Sequence, residues 1–183
     1  MTTTNNYIDE EELIRAEIDA RAQANKERNR KLAVAKAVPF IAKWEGFREK
    51  KYLDQAGIWT IGYGFTDKAI LAKYENTPMT KEEGMELIKL HVDKLSKQIE
   101  LLVERTLNSN QLAALYSLAY NIGIGRFSTS TLLKVLNKKP HSPEVDKQFR
   151  VWRYVSGMVS SGLVNRRNDE VKLYHSTEEL NNA

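Results

Sequence analysis

Lys51-Tyr52-Leu53-Asp54-Gln55-Ala56-Gly57-Ile58-Trp59-Thr60-Ile61-Gly62-Tyr63-Gly64 is the stretch where the chain changes period. Asp54 and Gly57 stand at the first and fourth positions of a type I turn, so the flanking segments are expected to pair as a hairpin. After the turn the residues alternate, with Trp59, Ile61 and Tyr63 on one side and Thr60, Gly62 and Gly64 on the other. The first face is bulky and expected to pack. The second is almost bare, as suits a backbone approached closely by another segment or a ligand. Upstream, Pro39 reads as the start of a short helix, because proline is favoured in the first turn and costly further inside. That helix runs through Phe40, Ile41 and Trp44 to Gly46, the preferred residue just past a helix end. Glu45 then lies at a helix C-terminus beside the hairpin.

Downstream the period is helical. Thr80 with Glu83 forms a capping box, and Met85, Ile88, Val92, Leu95, Ile99 and Leu102 step by threes and fours along one face. Asn108 or Ser109 caps a helix carrying Leu112, Leu115 and Leu118, which stops near Gly123. Ser128 or Ser130 opens a short helix through Leu132, Leu133 and Leu136. Ser142-Pro143 opens another with Phe149, Trp152 and Val155, ended by Gly157. A last helix follows Ser161, with Leu163, Val171 and Tyr174. One small sheet among many helices places the chain in the α+β class, mostly helical.

At 183 residues, with 42% hydrophobic and 28% charged, the chain suits one globular domain with an appendage. It has no cysteine, which excludes disulfides, thiolate zinc sites and cysteine nucleophiles together. No apolar run approaches the roughly 20 residues of a membrane span, and the N-terminus has no signal-peptide core. Synthesis in the cytoplasm is the expectation, with release by another agent if the protein acts elsewhere. Acids dominate residues 1–20 and bases dominate residues 21–43, an order that suits the dipole of a solvated helix. Leu13, Ile14 and Ile18 give a thin apolar face, and Ala24 to Lys31 offer almost none. Residues 1–32 therefore read as a marginal helix or disordered extension, 33–175 as the folded domain and 176–183 as a polar tail. The basic half of the extension is suited to a membrane surface or a protein partner.

His91, His141 and His175 are scattered, lack the paired spacing of a metal helix and read as surface or core residues, so no metal or cofactor is expected. Nucleotide-binding loops and a serine-hydrolase elbow are absent from the sequence. The basic pI of 9.1 comes without basic–aromatic interleaving, which argues against nucleic acid. Glu45, Asp54 and Thr60 remain. Singly, each has a plain structural reading: a surface Glu, an Asp that makes its turn, a β-branched strand residue. Together they say more. The negative end of the helix dipole disfavours the Glu45 anion, as suits a proton donor. Asp54, in a polar turn, more readily stays ionised. Two carboxylates held in contrasting environments are the signature of glycoside hydrolysis.

Trp44-Glu45-Gly46-Phe47-Arg48, Tyr52-Leu53-Asp54 and Trp59-Thr60-Ile61-Gly62-Tyr63-Gly64 resemble the active-site segment of phage-type lysozymes, glycoside hydrolase family 24. Glu45, Asp54 and Thr60 match the family spacing of Glu, eight residues, Asp, five residues, Thr without a gap. Ala114-Leu115, Tyr120-Asn121-Ile122-Gly123, Phe127 with Ser130-Thr131-Leu132, and Gly162-Leu163-Val164-Asn165-Arg166-Arg167 resemble later family blocks in the same order. The resemblance spans roughly residues 33–175. It departs at Phe65, where the family commonly has His in what reads as a structural polar pair, and it has no counterpart for residues 1–32.

The resemblance implies a two-lobed fold, with the sheet in an N-terminal lobe and the Met85–Leu102 helix joining it to a helical lobe. Glu45 would protonate the oxygen between N-acetylmuramic acid and N-acetylglucosamine in peptidoglycan, while Asp54 and Thr60 hold the water, with inversion favoured. Gly64, Tyr120 and Ser130 would bind substrate, and Arg166 would pair with Glu45. A monomer is expected, acting as an endolysin from the host cytoplasm or as a virion lysozyme. A lytic transglycosylase would need only Glu45, and an inert wall-binding module would have lost an acid; the complete set argues against both. Residues 33–175 carry +7, against −1 for residues 1–32 and −2 for 176–183, which suits an acidic wall polymer.

Overall fold

In the computed structural model, which describes residues 10–54 and 57–177, helix α1 runs unbroken from Glu10 to Glu45. Pro39 lies inside it rather than at its start, correcting the sequence expectation. Proline removes one helical hydrogen bond, here the one to the carbonyl of Ala35. Both Pro39 and Ala35 face solvent, so water can reach the released carbonyl. The opposite face holds the helix together: Arg30, Ala33, Val34, Ala37, Val38 and Ile41 are buried at helical spacing. Ala33 and Ala37, both fully buried, let a neighbouring helix approach closely.

Residues 10–26 are all exposed, in keeping with their thin apolar face, but the extension does not end there. Asn29 donates to the Leu107 carbonyl at 2.7 Å, Arg30 donates to Ser96 Oγ at 3.2 Å, and Lys26 meets Glu100 at 3.1 Å. The expectation that Ala24 to Lys31 offer nothing to bury holds for apolar surface and fails for polar contacts. Arg30 buries its stem and pairs its head with Glu27 and Asp93, as long basic side chains can.

The chain then forms β1 (Arg48–Leu53) and β2 (Trp59–Gly62). They pair antiparallel with Tyr52 opposite Thr60 and Leu53 opposite Trp59, and the register is irregular between Arg48 and Tyr52. Gly57 N–H donates to the Asp54 carbonyl at 3.0 Å; Gln55 and Ala56 of the turn lie outside the described residues. The bulky face packs only in part. Ile61 and Tyr63 are buried, whereas Trp59 is 51% exposed, because it sits beside the turn opposite the equally exposed Leu53. A short helix, α2 (Lys68–Lys73), completes the small lobe.

Helix α3 (Lys81–Leu102) starts at the expected Thr80–Glu83 capping box and buries Ile88, Val92, Leu95 and Ile99. It leads to α4 (Ser109–Ile122), capped by Asn108 in a reciprocal pair with Gln111. Helix α4 is the centre of the second lobe, with Ala113, Ala114, Leu115 and Leu118 fully buried. Helices α1, α3 and α8 (Ser161–His175) pack around it. Between α4 and α8 lie α5 (Ile124–Ser128), α6 (Thr131–Lys138) and α7 (Pro143–Arg150).

The expected helix through Trp152 and Val155 stops at Arg150. Tyr154–Val155 and Met158–Val159 instead form β3 and β4, an antiparallel ribbon. Ser156 at φ +49° and Gly157 at φ +79° supply the two left-handed positions that a tight hairpin turn requires. The apolar spacing imitated a helix, and the turn chemistry decided otherwise. Among the described residues, no helix is long and apolar enough to cross a membrane.

Two truncations separate the exposed and docked parts of α1. Removing residues 1–25 should leave the melting temperature nearly unchanged. Removing residues 1–32 also removes the Arg30 and Asn29 contacts, and should cost about 2 kcal/mol, a fall of roughly 4–8 °C for a domain of this size. Equal melting temperatures would show that these polar contacts contribute nothing net.

Candidate active site

The hairpin turn orients two of the three candidate residues through one backbone. Ile58 N–H donates to Asp54 Oδ1 at 2.8 Å, and Thr60 Oγ1 donates to the Ile58 carbonyl at 3.0 Å. Asp54 is half-buried and Thr60 is buried. The amide groups on either side of Ile58 therefore fix both side chains relative to β2.

Glu45 is the last residue of α1, and its half-buried carboxyl meets Arg166 of α8. Arg166 Nη1 donates to Glu45 Oε1 at 2.8 Å. Arg166 is itself buried; its Nε reaches Glu170 Oε1 at 3.3 Å and its Nη2 the Ser117 carbonyl at 3.4 Å. Arg167 and Glu170, one turn apart, are both fully buried. Their facing atoms, Arg167 Nε and Glu170 Oε2, are 2.8 Å apart. Burial lowers the Arg167 guanidinium to about 10, which leaves it charged at neutral pH. Burial raises the Glu170 carboxyl above its ordinary range, against the pull of Arg167, Ser117 and Arg166.

Gly64 and Tyr120 approach Glu45 from two other sides. Gly64 has φ +93°, and a Cβ built there would sit 4.0 Å from Glu45 Oε2. Gly62, at φ +63°, would place a Cβ 2.6 Å from Met79 Sδ. The bare face is thus filled at Gly62, where a side chain would displace Met79, and open at Gly64, where a Cβ would make only ordinary contact. Burial, reinforced by the Glu45 charge, pushes the Tyr120 hydroxyl up to about 12, so it remains a neutral donor. Gly64 and Tyr120 also line a cavity of about 530 Å³ between the lobes. Its small-lobe wall includes Phe65, Asp67 and Ile70, and α3 contributes His91, Lys94 and Gln98.

Over residues 42–170 the chain matches the family described as Phage lysozyme. That span is more than half of the sequence. The chain belongs to the phage lysozyme family. The endolysin of Salmonella phage P22 is 38% identical over 133 residues, covering 72% of this chain and 90% of the relative. The SAR-endolysin of Enterobacteria phage P21 is 35% identical over 126 residues, covering 69% and 74%. Among solved structures, a point mutant of P22 lysozyme aligns with a TM-score of 0.66 at 32% identity, covering 76% of this chain and 95% of that one. The muramidase domain of SpmX from Asticaccaulis excentricus aligns with a TM-score of 0.67 at 28% identity, covering 77% and 95%.

Within this phage lysozyme the expected residues fall into distinct places. Glu45, Gly64, Tyr120 and Arg166 converge, and Asp54 and Thr60 share the Ile58 tether. Ser130 is placed elsewhere: it caps α6, accepting from Leu133 N–H at 3.1 Å and donating to the Phe127 carbonyl at 2.7 Å. Phe65, at the family's usual His position, is buried and stacks on the His91 ring with centroids 5.8 Å apart. Sequence reasoning passed over His91, Lys94 and Gln98 as cleft residues, although their spacing by three, four and seven marks one edge of α3. It also passed over Glu170 and Arg167. Among the described residues no three His, Asp or Glu side chains gather as a metal would require.

Gly64→Ala tests the close approach. A left-handed φ costs a non-glycine residue about 1–2 kcal/mol, so a modest loss of stability is expected. The added methyl also occupies space beside Glu45, and kcat/KM on cell walls should fall about tenfold or more. Full activity would show that substrate does not pass over Gly64.

Proposed function

We propose that the chain hydrolyses the β-1,4 bond between N-acetylmuramic acid and N-acetylglucosamine, with Glu45 as general acid and Asp54 with Thr60 holding the attacking water. As a member of the phage lysozyme family it is a peptidoglycan-degrading lysozyme; the bond and the residue roles are the finer reading. The observation that carries the roles is the placement of Glu45 at the rigid end of α1, against buried Arg166 and beside the cavity that Gly64 and Tyr120 line. An acid must meet the leaving oxygen from a fixed position. Arg166 holds the carboxyl from behind, and the Gly64 face stays open to the glycan. Thr60 gives its proton to the Ile58 carbonyl, so its oxygen can accept from a water. Asp54, steered by the Ile58 amide, supplies the negative charge that activates that water and stabilises an oxocarbenium-like transition state. Attack from the face opposite the leaving group inverts the anomeric carbon. Ser130, committed to its cap, is a support of the helical lobe in this reading. The protein acts as a monomer at the bacterial wall after release from the host cytoplasm, a setting that its endolysin relatives support.

Glu45→Gln and Asp54→Asn should each lower turnover at least a hundredfold with little change in melting temperature. The wild type should release reducing muramic acid ends, as the opposite anomer, in the presence of a chelator. Anhydro-muramic ends would identify a transglycosylase, and a fully active Glu45→Gln variant would remove Glu45 from the mechanism.

Salt provides an independent check on the substrate. The +7 on residues 33–175 attracts a polyanionic wall over about 8–10 Å at 0.1–0.15 M salt. Cleavage of intact wall should therefore slow as salt rises, while cleavage of a short neutral oligosaccharide changes much less. Equal salt sensitivity would remove the electrostatic argument.

A further inference from the structure

We propose that Glu170 is a positioning residue for the reaction: with Ser117 and Arg167 it aims Arg166 at Glu45 and offsets enough positive charge for Glu45 to keep its proton. The inference rests on the reading of Glu45 as the general acid. Its starting point is a conflict. An acid must be protonated to act, yet a buried cation stands 2.8 Å from this one. A second buried arginine follows in sequence, so the protonated acid would face two cations without an anion between them.

Glu170 resolves the conflict by geometry. Its Oε1 accepts from Ser117 Oγ at 2.7 Å, from Arg167 Nη2 at 2.9 Å and from Arg166 Nε at 3.3 Å. Its Oε2 faces Arg167 Nε at 2.8 Å. Three donors on Oε1 and the Arg167 guanidinium beside Oε2 favour the carboxylate form of Glu170, against the burial that raises it. Arg166 is consequently held at three atoms by three elements: Nη1 by Glu45 of α1, Nε by Glu170 of α8 and Nη2 by the Ser117 carbonyl of α4. Its plane cannot rotate away from Glu45 without breaking buried bonds.

Asp54 of the hairpin is unchanged in every variant below, and among the described residues the other charges around the cluster have partners. Tyr120, from α4, is a neutral hydroxyl beside Glu45. Lys43 of α1 is matched by Asp169 of α8 at 3.0 Å. Helix α7, packed on another side of α8, turns Asp146 to His175 and Arg150 to Asn168. With Glu45 protonated, the cluster of Arg166, Arg167 and Glu170 carries a single positive charge. Losing Glu170 would double it, and losing Arg167 would cancel it.

The two losses therefore act in opposite directions on the alkaline limb of the kcat/KM–pH profile, which reports loss of the acid's proton. Glu170→Gln, which keeps the shape, should move that limb down by on the order of one unit. Above the limb the rate then falls about tenfold, while KM stays unchanged. Arg167→Met should move the limb up by a smaller amount, and Glu170→Asp, which restores the charge, should bring it back near the wild-type position. A purely structural role would lower melting temperature and active fraction without moving the limb, so an unmoved limb in the folded variants, or a shift of the same sign in both, overturns the proposal. If Glu170→Gln does not fold, Arg167→Met decides alone: an upward shift supports the proposal and an unmoved limb overturns it. Glu45→Gln keeps the two readings apart. Its inactivity together with an unmoved limb overturns only the positioning role, whereas its full activity overturns the assignment of the acid.

Discussion

A buried guanidinium has to find acceptors for its donors, and one of those that Arg166 uses lies 121 positions earlier in the chain, at the end of α1. Removing the guanidinium would leave the buried Glu170 with one cation fewer, a loss that typically costs several kcal/mol. The contact binds the N-terminal helix to the C-terminal one across the whole sequence. It also dictates what surrounds it. Helix α4 passes between them and offers both the Ser117 hydroxyl and its carbonyl, while fully buried alanines on α1 and α4 allow the close approach that brings the charged ends together.

The same constraint explains why α1 runs through Pro39. A helix that ended there would leave Glu45 on a separate short segment, free to tilt. The buried stripe from Arg30 to Ile41 crosses the proline and makes the two parts one rigid body. Proline on the exposed face costs one hydrogen bond, and the packed face outweighs that loss. Rigidity at Glu45 is thus obtained from residues one to four helical turns upstream, including some that sequence patterning assigned to an appendage.

What was legible in the sequence follows from this. The hairpin, the Thr80 cap and the long α3 were readable because each is specified by neighbours: a turn residue, a reciprocal cap, a repeated apolar face. Glu45, Asp54, Thr60 and Arg166 stood out as candidates through their order and spacing within a family pattern, and the structure places Arg166 against Glu45. Pro39 misled because local propensity was overridden by tertiary packing. The β3–β4 ribbon was hidden because Phe149, Trp152 and Val155 imitate a helical face, and Ser156 gives no strong sign of a left-handed backbone. Arg30, Arg167 and Glu170 were hidden for another reason. Charged residues are assigned to the surface by default, and their burial depends on partners far away in sequence.

Phe65 shows how such a substitution can be absorbed. A histidine there would make a polar contact whose strength changes with protonation. In this chain the Phe65 ring lies nearly parallel to His91, at 16°, and the Ile61 and Phe65 backbones exchange two hydrogen bonds, at 3.0 and 2.8 Å. The strand end is held by backbone pairing and ring packing, neither of which requires a charge at position 65. His91 instead reaches the Leu87 carbonyl of its own helix through Nδ1 at 2.9 Å. The polar pair is replaced by contacts within each lobe and a stack between them, so the cleft wall beside Gly64 keeps its shape without an ionisable group on the strand side.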